Sequence, residues 1–454
     1  MIFFNTMNQT DVIKKMISEG KLPVSEEIAN YKQEISNDSE SKVSIIKSFD
    51  YEPHQIELKD FVTYFRNRYD RLKNILINRP GVDSPISISK LSNRSEKSTI
   101  IAMVSDIQKF STGTIFVELE DPSGQVKGII SKKSEAQDDA KYLTLDEVIA
   151  VKGSPSKGIF FINEIIQPDV VIKNQRQNAK EEVYAAFTGD LHIGSNTFME
   201  DKLEYFIKLL RGEVGTKKQK DIAKKTKYIF IVGDVVDGVG IYPGQQKELI
   251  IDDIYEQYAK VAEYLSKIPK DKHIIICAGN HDALRQAEPQ PPLPKRFAQP
   301  LYDLPNTIIV SNPAYINIHK INGCSGFDVL MYHGYSFDYF LNNVEGLIEE
   351  GGYDSPDALI KFLLKRRHLG PSHRSTLSIP MKEDPLLIDP IPDIMVTGHI
   401  HKSKITTYKG ILTISASCWQ SNTSFQEKHG VHAEPARVPF LNLKTGRAKL
   451  MHFE

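Results

Sequence analysis

The stretch HIIICAGNHD, residues 273–282, joins a short apolar run to a polar cluster. An apolar run of this length, bounded by turn residues, is typical of a buried strand. Gly279 allows the chain to turn tightly where the strand ends. Asn280, His281 and Asp282 then place an amide, an imidazole and a carboxylate beyond the strand. Because ligand sites in open α/β sheets lie at the carboxyl ends of strands, the stretch predicts an α/β domain with a polar site at this edge.

Four other apolar runs end in polar clusters of the same kind. The clusters are Gly189-Asp190-Leu191-His192, Gly233-Asp234-Val235-Val236-Asp237, His333-Gly334 and Gly398-His399-Ile400-His401. Helical periodicity occurs between the runs at residues 201–211 and 254–265. This alternation predicts a layered α/β domain over residues 180–454, with the clusters converging beyond the strands.

The residue types in the clusters suit divalent metal ions. Carboxylate, imidazole and amide oxygen bind manganese, iron or zinc, and no cysteine stands among them. We expect Asp190 and His192, two residues apart on an extended segment, to project from the same side, as do His399 and His401. Asp234 would bridge two ions about 3.5–4 Å apart, the separation used in two-metal hydrolysis of phosphodiesters.

The chain before this domain has different periodicities. Five short β segments are predicted at 99–106, 114–120, 126–131, 148–153 and 158–165, with a helical insert around 134–142. This layout predicts an OB-fold barrel over residues 95–175, which either binds single-stranded nucleic acid or docks to a protein. The pattern of residues 1–90 predicts a small leader that is partly helical and partly flexible. Its helical stretches are at 12–17 and 61–77, and a linker is at 36–41.

The composition is that of an ordinary globular protein. The chain has 454 residues, 25% of them charged, and a net charge of -1, so any binding to nucleic acid must come from local patches. Cys277, Cys324 and Cys418 have no paired spacing, which argues against a disulfide framework and fits a cytoplasmic setting. No apolar run approaches the roughly 20 residues of a membrane span, so no membrane partner is expected.

In this order, the five clusters resemble the calcineurin-like metallophosphoesterase superfamily. The ligands implied for one ion are Asp190, His192, Asp234 and His401, and those implied for the other are Asp234, Asn280, His333 and His399. The resemblance also implies that His281 contacts the scissile phosphate or protonates the leaving oxygen, and that Asp282 orients His281. Mn²⁺ is the expected metal, with Mg²⁺, Fe²⁺ and Zn²⁺ as alternatives. Asp237 is either a support for a ligand or a turn residue.

The chain from about residue 95 onward also resembles the small-subunit family of archaeal family-D DNA polymerases. The matching blocks are GDVVDGVGIYPGQ (233–245), GNHDALRQAEPQP (279–291), LLKRRHL (363–369) and PDI leading into GHIHK (392–402). The resemblance implies a 3′→5′ exonuclease that proofreads single-stranded or mismatched 3′ ends of DNA. It implies a heterodimer with a large catalytic polymerase subunit, contact with a sliding clamp through that complex, and a nucleoid-associated cytoplasmic location.

Two other functions are open at this point. Eukaryotic relatives of the family have lost metal ligands and act as scaffolds, so a mainly structural subunit is one alternative. A free-standing metallophosphodiesterase is the other, although such an enzyme has no need of an OB-fold. Every ligand position is filled in this sequence, which favours an active nuclease.

Cationic side chains near the clusters are candidates for holding a DNA backbone. We expect DNA contacts from Arg285, Lys365, Arg366 and Arg367, although the last three could equally form a solvated helix face. The prolines between residues 289 and 294 predict either a stiff, extended segment that docks a partner or a plain surface loop.

Overall fold

The computed structural model describes residues 42–51, 55–91, 97–173, 177–321, 324–423, 426 and 432–453. The predicted helical pattern at 12–17 and the linker at 36–41 lie outside the described residues. The described chain forms a closed five-stranded barrel and an α/β body with two six-stranded sheets. None of its described helices has the length and apolarity that a membrane crossing requires.

The first described elements lead into the barrel. In chain order they are β1 (Lys42–Ser48), α1 (Leu58–Ile77), β2 (Ser98–Lys109), β3 (Ile115–Asp121), β4 (Gly124–Ile130), α2 (Gln137–Ala140), β5 (Val148–Ser156) and β6 (Ile159–Ile166). The barrel closes in the order β2-β3-β4-β6-β5, with β5 pairing back to β2. Alternate residues such as Val117 and Leu119 point into its core. Five strands with a short helix between the third and fourth confirm the predicted OB-like barrel.

The α/β body alternates strands and helices. In chain order its elements are β7 (Tyr184–Thr188), α3 (Glu200–Leu210), α4 (Lys217–Lys225), β8 (Thr226–Val232), α5 (Ile254–Ser266), β9 (His273–Cys277), α6 (Lys295–Tyr302), β10 (Thr307–Ile309), β11 (Ala314–Lys320), β12 (Phe327–Tyr332), α7 (Phe337–Asn343), α8 (Glu345–Glu349), α9 (Pro356–Arg366), β13 (Ile394–Thr397), β14 (Lys404–Tyr408), β15 (Ile411–Ser415), β16 (Arg437–Asn442) and β17 (Ala448–His452). The five apolar runs that precede the polar clusters form β7, β8, β9, β12 and β13, and each of these strands ends one or two residues before its cluster begins.

The two sheets of the α/β body face each other across a shared apolar core. One sheet has the order β10-β9-β8-β7-β16-β17 and the other β1-β11-β12-β13-β15-β14. Phe187 and Phe230 of the first sheet pack in the same core as Met331 and Val396 of the second. Strands buried on both faces read as continuous apolar runs, which is why they could be found in the sequence. Because β7, β8 and β9 are parallel, their carboxyl ends lie at one edge.

The strand β1 was not predicted. It pairs antiparallel with β11 and forms an edge of the second sheet, so part of the expected leader belongs to the α/β body. Its adjacent residues Ile45 and Ile46 are both about half exposed, at 50% and 41%. Burial does not alternate along β1, so its sequence lacks the two-residue period that marks a half-buried strand.

The basic run at the end of α9 lies at the junction between the barrel and the α/β body. Arg366 is buried and forms an ion pair with Glu147 of the barrel, with Nε and Oε2 2.9 Å apart. Arg367 is also buried, and its Nε donates to the carbonyl of Ile388 at 2.8 Å. Both guanidinium groups are engaged inside the protein, so the positions of these two arginines do not support the predicted DNA contacts.

A buried ionic cluster joins α1 to the segment that follows α9. Arg68 Nε lies 2.7 Å from Asp384 Oδ2, and the same oxygen lies 2.9 Å from His368 Nε2. Arg68 also donates to the Tyr64 hydroxyl and to the Pro371 carbonyl, each at 2.8 Å. Buried charges are tolerated when they are paired and hydrogen-bonded in this way.

Replacing Asp384 with alanine is expected to lower the free energy of unfolding by about 3–5 kcal/mol, because Arg68 would be left buried without a counter-charge. The Arg68 and Asp384 side chains are 1% and 0% exposed. Urea unfolding of the purified chain measures the change. Glu383→Ala is the matched control, since its side chain is 81% exposed and its change should stay within about 0.5 kcal/mol. Equal losses in the two variants would contradict the buried pairing.

Candidate metal centre

The polar clusters that follow β7, β8, β9, β12 and β13 lie together in the structure. Among the described residues, three groups of side chains have ligand atoms within 4.8 Å of one another: Asp190 with His192 and His401, Asp234 with His333 and His399, and His192 with Asp237 and His281. The first two groups consist of predicted ligands only. The seventh predicted ligand, Asn280, belongs beside the second group, because its Oδ1 lies 3.0 Å from His333 Nε2. The structure therefore brings all seven predicted ligands to one place.

The first group offers both nitrogen and oxygen donors. His192 Nε2 and His401 Nε2 lie 3.2 Å apart, and His401 Nε2 lies 3.4 Å from Asp190 Oδ1. Two ring nitrogens and a carboxylate oxygen at these separations suit a shared cation, with the nitrogen and oxygen donors that manganese, iron and zinc accept.

The second group adjoins the first through Asp234. Asp234 Oδ2 lies 3.2 Å from His333 Nε2 in its own group and 3.8 Å from His192 Nε2 in the other. One carboxylate oxygen thus faces both groups. This is the arrangement that a ligand bridging two ions requires.

Each histidine of the two groups has an outer partner on its second ring nitrogen. The pairs are His192 Nδ1 with Asp237 Oδ1 at 3.0 Å, His333 Nδ1 with the Val232 carbonyl at 2.9 Å, His399 Nε2 with Asp338 Oδ2 at 3.0 Å, and His401 Nδ1 with Gln426 Nε2 at 2.8 Å. The oxygen partners of His192, His333 and His399 accept from the ring and so leave its other nitrogen for a metal, whereas the Gln426 amide donates to His401 Nδ1 and only fixes the orientation of that ring. Asp237 therefore supports a candidate ligand and is not simply a turn residue.

Sequence reasoning missed Asp338 and Gln426. Asp338 stands in the first turn of α7, where acidic residues are common for reasons of helix electrostatics alone. Gln426 belongs to none of the five clusters. Neither residue carried a local signal, because each acts through a contact with a histidine distant along the chain.

Five of the seven candidate ligands have a left-handed backbone. Their φ angles lie between 48° and 71°, and they are Asp190, His192, Asp234, His399 and His401. The expectation that the Asp190–His192 and His399–His401 pairs stand on extended segments is therefore wrong. Left-handed conformations cost non-glycine residues on the order of 1–3 kcal/mol each and cluster at functional sites, where the surroundings hold them.

Two glycines are required by close approach to the candidate ligands. A Cβ atom added to Gly279 would lie 2.1 Å from Asp234 Oδ1, and one added to Gly233 would lie 2.3 Å from His333 Nδ1. Only a residue without a side chain allows the backbone to pass this close. The glycines of the clusters therefore make room for ligand side chains as well as turning the chain.

The electrostatics of the buried groups suit a cation. Burial opposes ionisation of Asp234, but the charges of His333 and His281 outweigh it and hold the pKa of this carboxyl well below its usual value. Burial likewise opposes a charged His333, yet the Asp234 carboxylate raises the pKa of its imidazole to about 10. A cation beside Asp234 would take the place of that proton, as metal binding generally does. Burial lowers the pKa of His192, which favours the neutral ring that binds metal.

His281 stands at the edge of the centre with its side chain 18% exposed. Its Nδ1 lies 2.8 Å from the Asp237 carbonyl, and its ring meets that of His192 edge-on at 4.7 Å. The carbonyl fixes one ring nitrogen, so Nε2 is the one that remains for a substrate.

The expected role of Asp282 is wrong. Its carboxylate accepts from the Gly279 amide at 2.8 Å and from the Tyr258 hydroxyl at 3.2 Å, and the partner of His281 is the Asp237 carbonyl. Burial, and then the charge of Asp234, raise the pKa of Asp282 to about 7. Asp282 is thus buried within the loop that contains Asn280, and its hydrogen bonds stabilise that loop.

The remaining predicted DNA contacts are in less exposed positions than expected. Arg285 Nη2 donates to the Pro289 carbonyl at 2.8 Å, and its guanidinium lies 5.4 Å from the Tyr51 ring centroid. Lys365 is half-buried on α9, and burial lowers its pKa. Contact of Arg285 and Lys365 with DNA stays a prediction.

The proline-containing segment begins in the interior of the α/β body. Glu288 and Gln290 are 0% and 1% exposed, and the Gln290 backbone forms a bridge with Asn312. The backbone amide of Glu288 donates to the Leu377 carbonyl, and the backbone amide of Ile379 donates to the Glu288 carbonyl, each at 2.8 Å. Residues 288–290 are therefore part of the α/β body, and docking of a partner by the later prolines stays a prediction.

The fold and the centre define a metallophosphoesterase domain, and the family model described as calcineurin-like phosphoesterase matches residues 184–403. Curated relatives extend the match along the chain. A DNA polymerase II small subunit of Methanothermobacter thermautotrophicus is 36% identical over 400 residues, covering 87% of this chain and 80% of the relative. That of Archaeoglobus fulgidus is 38% identical over 388 residues, covering 85% and 75%. The chain belongs to the family of archaeal DNA polymerase II small subunits.

Some relatives of this family are considerably longer than the chain. The DNA polymerase II small subunit of Pyrococcus furiosus is 38% identical over 405 residues, which are 88% of this chain but 64% of the relative. The chain therefore spans slightly less than two thirds of the length of this relative.

Proposed function

We propose that the chain is the nuclease subunit of a two-subunit DNA polymerase and removes nucleotides from 3′ ends of DNA with two divalent ions. The observation that carries the proposal is the position of Asp234, whose Oδ2 lies 3.2 Å from His333 Nε2 and 3.8 Å from His192 Nε2. The small-subunit relatives supply the second part, because a small subunit of a polymerase implies a large catalytic one. The sliding clamp and the nucleoid would be reached through that complex.

The donor atoms favour Mn²⁺ over Mg²⁺. The proposed ligands of one ion are Asp190, His192, Asp234 and His401, and those of the other are Asp234, Asn280, His333 and His399. Mg²⁺ prefers oxygen ligands, whereas four imidazoles suit manganese, iron or zinc. When bound, the ions supply Lewis acidity to the phosphodiester and lower the pKa of a water nucleophile.

His281 is proposed as the acid that protonates the leaving 3′ oxygen. Because its Nδ1 can donate to the Asp237 carbonyl at 2.8 Å, the second proton of an imidazolium is on Nε2, the nitrogen left for the substrate. A proton given to the leaving oxygen by a positioned imidazolium typically contributes 10²–10⁴-fold to a rate.

The two proposed domains would have different functions. The OB-fold over residues 95–175 would contact single-stranded DNA or the large subunit, and residues 180–454 would carry the nuclease. The barrel is tied to the α/β body by the buried Arg366–Glu147 pair, in which Nε and Oε2 are 2.9 Å apart. A rigid connection of this kind would hold a strand bound on the barrel at a constant distance from the metal centre.

The purified chain with Mn²⁺ is expected to shorten a 5′-labelled single-stranded oligonucleotide one nucleotide at a time. A 3′-labelled oligonucleotide should release labelled mononucleotide first, because hydrolysis begins at that end. Gel analysis of both substrates separates the candidate functions. Intact DNA with every divalent metal would favour the scaffold, and rapid hydrolysis of bis-p-nitrophenyl phosphate with intact DNA would favour the free-standing phosphodiesterase.

A further inference from the structure

The segment after the Asn280 loop contains a buried glutamine, Gln290, whose side-chain amide forms hydrogen bonds with two other loops. Its Nε2 donates to the Gly279 carbonyl at 3.0 Å and to the Arg285 carbonyl at 3.3 Å. Its Oε1 accepts from Asn312 Nδ2 at 2.8 Å. Gln290 is 1% exposed. A buried amide with all these bonds made is a rigid connector, because breaking any one leaves a buried polar group unpaired.

Asn312 carries the connection to the loop after β12. Its Oδ1 accepts from the backbone amide of His333 at 2.8 Å, and Asn312 is 0% exposed. The backbones of Asn312 and Gln290 also exchange two hydrogen bonds, of 2.8 and 2.9 Å. Gln290 and Asn312 together are called the amide brace below.

The amide brace links the backbones that hold two candidate ligands. At one end, Gln290 donates to the carbonyl of Gly279, the residue before Asn280. At the other end, Asn312 accepts from the backbone amide of His333. The side chains of those ligands meet with Asn280 Oδ1 and His333 Nε2 3.0 Å apart. The Gln286 side chain adds a bond to the Asn280 carbonyl at 2.6 Å, so the same segment holds that loop at two points.

We propose that Gln290 and Asn312 are positioning residues that set the separation of Asn280 and His333 and thereby the affinity for the second metal ion. The inference rests on the proposed two-metal function. Metal ligands must be held within about 0.5 Å of a productive geometry by surrounding hydrogen bonds, and outer partners commonly change metal affinity 10–100-fold. Gln290, within the segment that follows the Asn280 loop, is thus assigned to the support of the metal centre.

The test is Gln290→Met, which keeps the length of the side chain and removes its donor and acceptor. The variant is expected to bind its first Mn²⁺ normally and its second at least about tenfold more weakly. Calorimetric titration with Mn²⁺ measures the two affinities, and electron paramagnetic resonance detects the exchange coupling of neighbouring ions. Gln299→Met is the matched control, because Gln299 is exposed and bonds only to Asp303 among its described contacts. It should bind two coupled ions.

Far-UV circular dichroism checks that each variant is folded, and a second variant removes only the amide donor. Gln290→Glu keeps an acceptor for Asn312 and loses the amide donor to Gly279, and it should also weaken the second ion. Two coupled ions of normal affinity in a folded Gln290 variant would overturn the positioning role and leave the proposed function standing. Fewer than two ions in the unsubstituted chain would overturn the proposed function, and the positioning role with it.

Discussion

Replacing His281 with alanine is expected to slow hydrolysis at 3′ ends about 10²–10⁴-fold, because the leaving oxygen would depart without a proton donor. Metal binding should survive, since His281 stands outside the two groups proposed to hold the ions. The nearest polar partner of its imidazole ring is the Asp237 carbonyl, at 2.8 Å from Nδ1. Single-turnover rates on a 5′-labelled oligonucleotide, together with the Mn²⁺ content of the same samples, measure both properties.

The control for this variant is His452→Ala on β17, at the far edge of the first sheet. It should keep the full rate. His281 also lies within 4.8 Å of His192 and Asp237 in a third group of potential ligands. Loss of an ion together with activity would therefore identify His281 as a ligand and contradict its role as an acid.

Replacing Asp234 with asparagine is expected to abolish detectable hydrolysis and to weaken both ions at once. The change preserves the shape of the side chain but removes the negative charge that faces both groups. Binding to the folded state alone stabilises a protein by about 2.7 kcal/mol per site at a ligand concentration of 100 Kd. The Mn²⁺-dependent rise in Tm seen for the unsubstituted chain should therefore disappear in the variant.

Asp221→Asn is the matched control for the Asp234 variant. Asp221 is on α4 with its side chain 53% exposed and paired to Lys225, and the change should leave Tm with Mn²⁺ unaltered. If Asp234→Asn kept the full Mn²⁺-dependent rise in Tm, the proposal that Asp234 is a ligand shared by both metal ions would be contradicted.

Much of the fold could be predicted because its signals are local. The strands that precede Asp190, Asp234 and Asn280 are continuous apolar runs ending at a glycine, and such runs are distinct in sequence. The barrel could be predicted from five alternating segments and the position of one helix. In each case a short window contains the residues that determine the element.

The features that were missed or misassigned depend on contacts between distant residues. Arg366 reads as a surface cation until Glu147, more than two hundred positions away, is seen to pair with it. Asp282 follows His281 directly, yet the turn of the loop sends its carboxylate to Gly279 and Tyr258. The paired spacing of the candidate ligands predicted residues that do lie close together, but it predicted the wrong backbone conformation, since left-handed conformations outside glycine have little sequence signal.

The most direct measurement is removal of a mismatched 3′ nucleotide by the complex of this chain with its large polymerase subunit. A 5′-labelled primer with one 3′ mismatch, annealed to a template, is given to the complex with Mn²⁺ and then with deoxynucleotides. We expect the complex to excise the mismatch before it extends the primer, and the complex that carries His281→Ala to leave the mismatch in place. Excision at equal rates by both complexes, or by neither, would contradict a proofreading nuclease at this metal centre.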